Sequence, residues 1–359
     1  MYDVKSLKAE EFISHQEILD TLVYAEANKH NEKLISEVIE KAKLRKGLTH
    51  REAILLLDCD IEEKNQEIYA LAEQIKKDFY GNRIVMFAPL YLSNYCVNGC
   101  VYCPYHAKNK HIARKQLSQE EIVKEVVALQ DMGHKRLALE TGEDPVNCPI
   151  EYVLESIKTI YSIKHKNGEI RRVNVNIAAT TVENYRKLKD AGIGTYILFQ
   201  ETYHKESYEK LHPTGPKHNY TYHTEAMDRA MEGGIDDVGI GVLFGLELFR
   251  YEFVGLLMHA EHLEAVHGVG PHTISVPRIR HADDIDPNAF DNGIDDETFA
   301  KLVACIRISV PYTGMIVSTR ESQKCREKVL HLGISQISGA SRTSVGGYDH
   351  PEEEEDNSS

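Results

Sequence analysis

The sequence predicts an α/β fold in which eight parallel strands, each followed by a helix, close into a (β/α)8 barrel behind an N-terminal helical extension. Short apolar runs alternate with longer amphipathic segments from about residue 84 onward, and this alternation repeats eight times. The first 80 residues show helical periodicity only. A regular repeat of strand and helix is typical of a parallel barrel. A doubly wound open sheet is the alternative, although it usually has fewer units.

The helical extension is predicted over residues 1–80. Apolar residues recur at helical spacing between 31 and 44 and again between 66 and 79. Thr49 and Glu52 form a capping-box pattern ahead of an apolar run. We therefore expect several helices before the first strand.

The barrel is predicted over residues 81–347. Its expected strands are Ile84–Phe87, Arg136–Leu139, Arg172–Ile177, Thr195–Phe199, Asp237–Gly241, Thr273–Val276, Gly314–Val317 and Ser335–Ile337. Capping-box patterns that begin at Ser118 and Thr180 predict the starts of two helices between strands. Function in such barrels lies at the carboxyl ends of the strands, so those positions are the ones to search.

Charge and hydropathy exclude several classes of protein. The 359 residues carry 42 Lys+Arg against 56 Asp+Glu, a formal net charge of −14, which argues against a broad nucleic-acid surface. No stretch approaches the roughly 18 apolar residues of a membrane span. The N-terminus has no apolar signal region, so a cytoplasmic protein is expected. Residues 348–359 have the composition of an acidic linker or tail.

The cysteines are the most informative feature of the sequence. Their number, seven, is odd and makes a poor disulfide framework. Cys96, Cys100 and Cys103 form a CxxxCxxC motif soon after the first predicted strand. Three thiolates on one tight loop can bind three irons of a [4Fe–4S] cluster, which leaves the fourth iron open for chemistry. A zinc site with His106 as fourth ligand is the alternative.

A CxxxCxxC motif after the first strand of a β/α barrel resembles the radical S-adenosylmethionine (SAM) enzymes. The resemblance implies a TIM-type radical SAM barrel whose [4Fe–4S] cluster is held by Cys96, Cys100 and Cys103. It also implies that SAM chelates the open iron and is cleaved by one electron to a 5′-deoxyadenosyl radical. Tyr102 matches the aromatic residue that the family packs at this loop, and ordinary packing is the alternative.

The second strand ends in a pattern that resembles the family's GGE motif. Thr141, Gly142 and Glu143 follow that strand directly. The resemblance implies that they meet the SAM amino group, since a small-residue turn exposes peptide groups and an acid pairs with an ammonium. An ordinary turn is the alternative interpretation.

Three further positions are assigned to SAM by the resemblance. Glu201 follows the fourth strand and is a candidate for the polar groups of SAM, or else a buried structural acid. Gly241 lies in the fifth strand, where the family lets adenine approach the backbone, or else it simply flanks a buried strand. His223 stands where several related enzymes have an arginine for the SAM carboxylate, so the partner of that carboxylate stays open.

Arginines at later strand ends point to a substrate with a carboxylate. Ser318 and Arg320 follow the seventh strand and resemble the L-tyrosine site of the radical SAM tyrosine lyases. Arg278 and Arg280 follow the sixth strand and are further candidates. Surface ion pairs are the alternative for any one of these arginines.

Two families of tyrosine lyase compete. The segments Cys103–Lys110, Pro271–Pro277 and Gly339–Ser344 are similar to HydG, the [FeFe]-hydrogenase maturase family. That resemblance implies cleavage of the Cα–Cβ bond of L-tyrosine to p-cresol and dehydroglycine, then formation of cyanide and CO for the H-cluster. It implies a flavodoxin- or ferredoxin-like reductant, hydrogenase maturation proteins as partners, and an anaerobic setting. A ThiH-like 2-iminoacetate synthase of thiamine thiazole biosynthesis and a non-catalytic iron–sulfur scaffold are the alternatives.

One feature departs from the HydG pattern. That family continues into a C-terminal domain whose three cysteines carry a second cluster, whereas no CxxC follows the predicted barrel here. We therefore expect a form without that domain, either a truncation or a naturally shortened form. His262 is interpreted as a helix-surface histidine, with docking of a second-cluster iron as the alternative.

Overall fold

The computed structural model describes residues 1–279, 292–338 and 345–348. Eight parallel strands close into a barrel in chain order, and β8 pairs with β1. The strands are β1 Val85–Ser93, β2 Arg136–Thr141, β3 Arg172–Asn176, β4 Tyr196–Ile197, β5 Val238–Gly241, β6 Thr273–Ser275, β7 Gly314–Val317 and β8 Gln336–Ser338. The predicted (β/α)8 fold is confirmed. Residues 349–359 of the predicted tail and the Gly339–Ser344 segment lie outside the described residues.

β1 and β4 differ most in length from their predicted ranges, whereas the other strands differ by two residues or fewer. β1 continues to Ser93, because its second half pairs with β2 as far as Thr141. β4 is shorter than predicted, although its backbone still bonds to β5 beyond Ile197, with Gln200 N donating to Gly241 O at 2.9 Å. Both differences fall at the carboxyl end of the barrel, where the loops that bear function begin.

Fourteen helices of the described chain surround the barrel or precede it. They are α1 Ala9–Phe12, α2 His15–Asn28, α3 Glu32–Ala42, α4 His50–Asp58, α5 Glu62–Tyr80, α6 Gln119–Asp131, α7 Ile150–Ser162, α8 Val182–Asp190, α9 Lys205–Leu211, α10 Tyr220–Thr224, α11 Ala226–Glu232, α12 Phe249–His267, α13 Asp296–Ser309 and α14 Gln323–Leu332. A short 3-10 turn, Pro216–His218, lies between α9 and α10. None of these helices is long and apolar enough to cross a membrane.

The observed N-terminal residues of the helices can be compared with the predicted capping boxes. Thr49 and Ser118 each form the predicted reciprocal capping box, at α4 and α6. The box predicted from Thr180 is wrong, because the N-cap of α8 is Thr181, which accepts from Asn184 N. Thr180 has other bonds: its N–H donates to Tyr185 Oη at 3.1 Å, and its hydroxyl accepts from the Asn184 side chain.

The helical extension shares one hydrophobic core with the barrel. α2 and α4 pack on α12, and α5 packs on α13 and α14. This packing corrects the interpretation of His262, which was expected on a helix surface. The ring is fully buried, its Nδ1 lies 2.6 Å from Val4 O, and its Nε2 lies 2.9 Å from Asp228 Oδ1. The N-terminal residues cover α12 there, and both ring nitrogens have protein partners.

Candidate cofactor and active site

A cavity opens at the carboxyl ends of the early strands, beside the loop that carries the CxxxCxxC motif. Residues from this loop, from the ends of β2, β3 and β4, and from the Pro216–His218 turn line it. The cavity brings together these sequence-predicted residues: Cys96, Cys100, Tyr102, Cys103, Thr141, Gly142, Glu143, Glu201 and His223. Gly241 lies just behind its wall, since an added Cβ there would come within 2.9 Å of the Phe199 ring.

A single guanidinium holds the cluster loop, residues 94–109, from behind. Arg114 donates to Asn94 O before the cysteines at 2.5 Å. It also donates to three carbonyls after them, Tyr105 O at 2.8 Å, His106 O at 2.7 Å and Asn109 O at 3.2 Å. The rigid fork of five N–H donors suits an arginine to this task. The two ends of the loop are thereby fixed relative to each other.

The three thiols form the sulfur donor set of the cavity. Burial raises the pKa of Cys100 to about 11 and that of Cys103 to about 12. Such thiols become thiolates when a metal takes the place of the proton. Within the described chain, no three His, Cys, Asp or Glu side chains are grouped closely enough to hold one metal ion. The alternative zinc site with His106 is therefore not formed by the described side chains. In a [4Fe–4S] cluster each thiolate binds its own iron, so three separated thiols on one loop fit that group.

The cluster loop is joined to the turn after β2. Val97 N donates to Glu143 O at 2.8 Å, and Asn98 Nδ2 donates to Glu143 Oε1 at 2.7 Å. Gly142 lies so close that an added Cβ would be 2.2 Å from Tyr95 O. Burial raises the pKa of Glu143, although the Asn98 bond opposes that shift. Sequence reasoning did not identify Asn98, because an asparagine in a loop carries no distinctive signal.

A partly buried ion pair lines the same cavity as the thiols. Lys217 Nζ lies 3.4 Å from Glu201 Oε1 and 5.7 Å from the centre of the Tyr102 ring. Glu201 holds a left-handed backbone, φ +70°, which few residues other than glycine adopt. Burial alone would lower the pKa of Lys217, but Glu201 and the Cys100 thiol raise it overall. Lys217 was also missed, since a lone lysine in a Gly-Pro turn has no motif.

Two histidines near the cavity are neutral. His212 accepts from Tyr102 Oη at its Nε2, 2.7 Å away, so its Nδ1–H donates to Tyr208 O at 2.6 Å. Burial lowers the pKa of His212 to about 2 and that of His223 to about 3. His223 Nε2 donates to Phe199 O at 2.9 Å. His223 thus lines the cavity without a positive charge.

The later strand ends lie farther around the same barrel rim. Arg278 is bonded bidentately to Glu321, with both N···O distances 2.7 Å, and also reaches Asp296 Oδ1 at 2.8 Å. Its guanidinium therefore faces protein carboxylates. Ser318 Oγ accepts from Arg320 N at 3.1 Å, which shapes the turn after β7. Arg280 lies outside the described residues.

Comparison with known proteins places the chain in a family. Residues 90–257 match the Radical SAM superfamily, and residues 275–356 match the Biotin and Thiamin Synthesis associated domain. Members of the radical SAM superfamily bind a [4Fe–4S] cluster and SAM. The 2-iminoacetate synthase of Salmonella typhimurium is 29% identical over 321 residues, which cover 88% of this chain and 82% of that protein.

Two crystal structures resemble the whole described fold. One is HydG, titled a maturase of the [FeFe]-hydrogenase, with TM-score 0.93 and 57% identity over 97% of this chain and 77% of that one. The other is the maturase HydG from Carboxydothermus hydrogenoformans, with TM-score 0.87 and 42% identity over 98% of this chain and 79% of that one. The chain belongs to the HydG family of radical SAM enzymes.

Proposed function

We propose that this protein is a radical SAM carbon–carbon lyase that cleaves the Cα–Cβ bond of L-tyrosine to p-cresol and dehydroglycine. Dehydroglycine would then lead to cyanide and CO for the [FeFe]-hydrogenase H-cluster. The observation that carries the proposal is the convergence of three thiols, the turn after β2 and the Glu201–Lys217 pair on one cavity at the carboxyl ends of the strands. Catalytic groups of such barrels lie at this end.

The residues of the cavity divide into two sets. Cys96, Cys100 and Cys103 would hold the [4Fe–4S] cluster, on a loop fixed by Arg114. The set for SAM consists of Tyr102, Thr141, Gly142, Glu143, Glu201, His223 and Gly241. When bound, the two cofactors supply the 5′-deoxyadenosyl radical that takes a hydrogen atom from the substrate. The protein itself orients the cofactor and excludes water from the radical.

The substrate residues would lie across the rim from the cluster loop. Ser318 and Arg320 would receive the tyrosine carboxylate, since a guanidinium beside a hydroxyl suits an oxyanion. The amino group of tyrosine must be neutral for loss of its hydrogen atom. The Arg278 guanidinium donates two hydrogen bonds to Glu321, the residue after Arg320, and would thereby position the turn after β7. Arg280 is kept as a further candidate for the substrate.

The sequence identities of the relatives favour cyanide and CO over dehydroglycine as the final products. The curated relatives named 2-iminoacetate synthase are 28–29% identical to this chain, whereas the HydG structures are 42–57% identical. 2-Iminoacetate is another name for dehydroglycine, so both activities share the cleavage of tyrosine. The higher identity favours further conversion to cyanide and CO.

The partners follow from the chemistry. A one-electron reductant of flavodoxin or ferredoxin type would reduce the cluster, and hydrogenase maturation proteins would receive the product. An oxygen-sensitive cluster and a strong reductant fit an anaerobic cytoplasm.

The assignment is tested by anaerobic reconstitution with iron and sulfide, followed by incubation with SAM, dithionite and L-tyrosine. A tyrosine lyase forms both 5′-deoxyadenosine and p-cresol. Cyanide among the products indicates the maturase activity, and its absence indicates a 2-iminoacetate synthase. Cluster binding without any 5′-deoxyadenosine would instead identify a scaffold and overturn the enzymatic assignment.

A further inference from the structure

One stretch of the chain differs in charge from the rest. The protein as a whole has a formal net charge of −14, yet no Asp or Glu occurs between Asp78 and Glu120. The part of this stretch that follows β1 contains these cations: Lys108, Lys110, Arg114 and Lys115. The cluster loop and the residues just after it are therefore basic on an acidic protein.

Two of these cations are available to a partner. Arg114 donates to carbonyls of the cluster loop, and Lys115 Nζ pairs with Glu121 Oε2 at 2.9 Å. Lys108 and Lys110 are exposed and form no ion pair with any residue that the structure describes. Their positive charges therefore face solvent.

The acids of the turn that contacts the loop do not offset these charges. Glu143 Oε1 accepts from Asn98 Nδ2 at 2.7 Å and lines the cavity. Asp144 is 9% exposed, and its Oδ1 accepts from the N–H groups of Val146 and Asn147 at 3.0 Å. Both carboxylates are thus directed into the protein.

Exposed apolar side chains lie beside the cysteines. Val97 follows Cys96 directly and is 38% exposed, and Val101 follows Cys100 directly and is 45% exposed. Neither valine lines the cavity, although the two cysteines do. The loop therefore has an inner side that faces the cavity and an outer side that faces solvent, one residue away from two of the thiols.

The outer side of the loop also carries the free charges. Ala107 N donates to Asn98 O at 2.8 Å, which brings Lys108 next to Val97. The surface so formed is called the basic patch and consists of Val97, Val101, Ala107, Lys108 and Lys110, all of which are exposed. A small apolar centre with a charged rim is typical of protein interfaces, and electron-transfer encounters use the smallest of them.

We propose that an acidic one-electron carrier docks on the basic patch and reduces the cluster from there. The carrier loses one electron, and the oxidised [4Fe–4S] cluster on Cys96, Cys100 and Cys103 gains it. This inference rests on the proposed function in so far as the loop holds a cluster. Electron transfer slows steeply with distance, and the patch adjoins two of the cluster cysteines. Its positive charges steer a negatively charged partner to this side, which leaves the cavity free for SAM.

The test compares two electron sources on the cluster-reconstituted protein. A photoreduced acidic flavodoxin is the carrier, dithionite is the small reductant, and anaerobic stopped-flow absorbance gives the second-order rate constant of cluster reduction. The variant is Lys108→Glu/Lys110→Glu. Lys33→Glu/Lys46→Glu is the matched control, since both lysines are exposed on the helical extension and the net charge changes equally.

The rate constant with flavodoxin at low ionic strength should fall about tenfold or more in the variant, because two attractive charges become repulsive. Added salt should narrow the difference, since exposed charges are screened. The control, and dithionite reduction of every protein, should match the wild type. Lys110→Gln, one position beyond the loop, is the second variant in case the double reversal does not retain the cluster, and it should show a smaller fall with the same salt dependence.

An unchanged rate constant with flavodoxin in a variant that retains the cluster would overturn the proposal. An equal fall in the control would overturn it too, because the effect would then come from net charge and not from the patch. A wild-type dimer that the double reversal makes monomeric, seen by sedimentation, would assign the patch to a second copy of this chain instead. Tyrosine is absent from the rate measurement, so a failure of tyrosine cleavage alone leaves its outcome intact, whereas a wild type that binds no cluster would overturn both proposals.

Discussion

Asn98 Nδ2 donates a 2.7 Å hydrogen bond to Glu143 Oε1, and this bond ties the cluster loop to the turn after β2. The same side chain accepts from Lys217 N at 3.0 Å. One amide between two of the cysteines therefore connects three segments that are far apart in the sequence. The groups proposed for the cluster and for SAM are held in register by this junction.

The junction leaves no room for a side chain at Gly142. We predict that Gly142→Ala prevents stable cluster binding, because the new Cβ would lie 2.2 Å from Tyr95 O and 3.1 Å from Cys96 Cβ. Iron and sulfide content after reconstitution checks this prediction. Gly293→Ala is the control, since an added Cβ there meets no atom of the described residues within 4 Å. A Gly142→Ala protein with wild-type iron content would show that the loop can shift at no cost.

Arg114 provides a second test of loop placement. Arg114→Ala removes four hydrogen bonds to carbonyls on both sides of the cysteines. Bonds to charged groups contribute roughly 1.5–3 kcal/mol each, but four bonds that share one guanidinium are not additive, so we expect about 2–4 kcal/mol less stability and faster cluster loss. Urea unfolding and the rate of iron release to a chelator measure these two effects. Lys should rescue poorly, because one ammonium cannot span the four carbonyls.

The control for this prediction is Arg171→Ala, at an exposed arginine away from the loop. Equal iron-release rates in the wild type and in Arg114→Ala would contradict the role assigned to the guanidinium.

Stability should depend on pH through Glu140. Burial raises the pKa of this carboxyl to about 8, against a bond from Asn176 that lowers it. Between pH 4.5 and 8 the folded protein keeps the proton and the unfolded chain releases it, so stability falls as pH rises, by up to about 1.4 kcal/mol per pH unit. Glu140→Gln should flatten this fall. Urea unfolding at pH 5 and pH 8 measures it, and parallel pH profiles for the two proteins would refute the prediction.

The sequence predicted the barrel, the cluster motif and the strand-end residues, because each has a local signal of periodicity or spacing. The junction residues Asn98, Lys217 and Arg114 have none, since their roles depend on contacts between distant segments. Tertiary packing also explains two differences between the predicted and the observed structure. Residues of the extension buried His262, and hydrogen bonds of Thr180 to Asn184 and Tyr185 moved the start of α8 by one residue.

The substrate side is tested at Arg320. We predict that Arg320→Ala raises the KM for tyrosine by about tenfold or more, because a charge-assisted bond to the carboxylate is lost. The affinity for SAM should stay the same, since Arg320 does not line the cavity beside the thiols. Steady-state formation of p-cresol checks the first effect and equilibrium dialysis the second. Lys324→Ala, at an exposed position of α14, is the control. An unchanged KM would remove Arg320 from the substrate site.

The stoichiometry of one turnover decides whether the radical formed from SAM cleaves tyrosine. Reduced, cluster-loaded protein is mixed with SAM, with and without L-tyrosine, and 5′-deoxyadenosine and p-cresol are quantified together. We expect equal amounts of the two products when tyrosine is present and no p-cresol from Cys100→Ser. Formation of 5′-deoxyadenosine without p-cresol, in the presence of saturating tyrosine, would contradict this expectation.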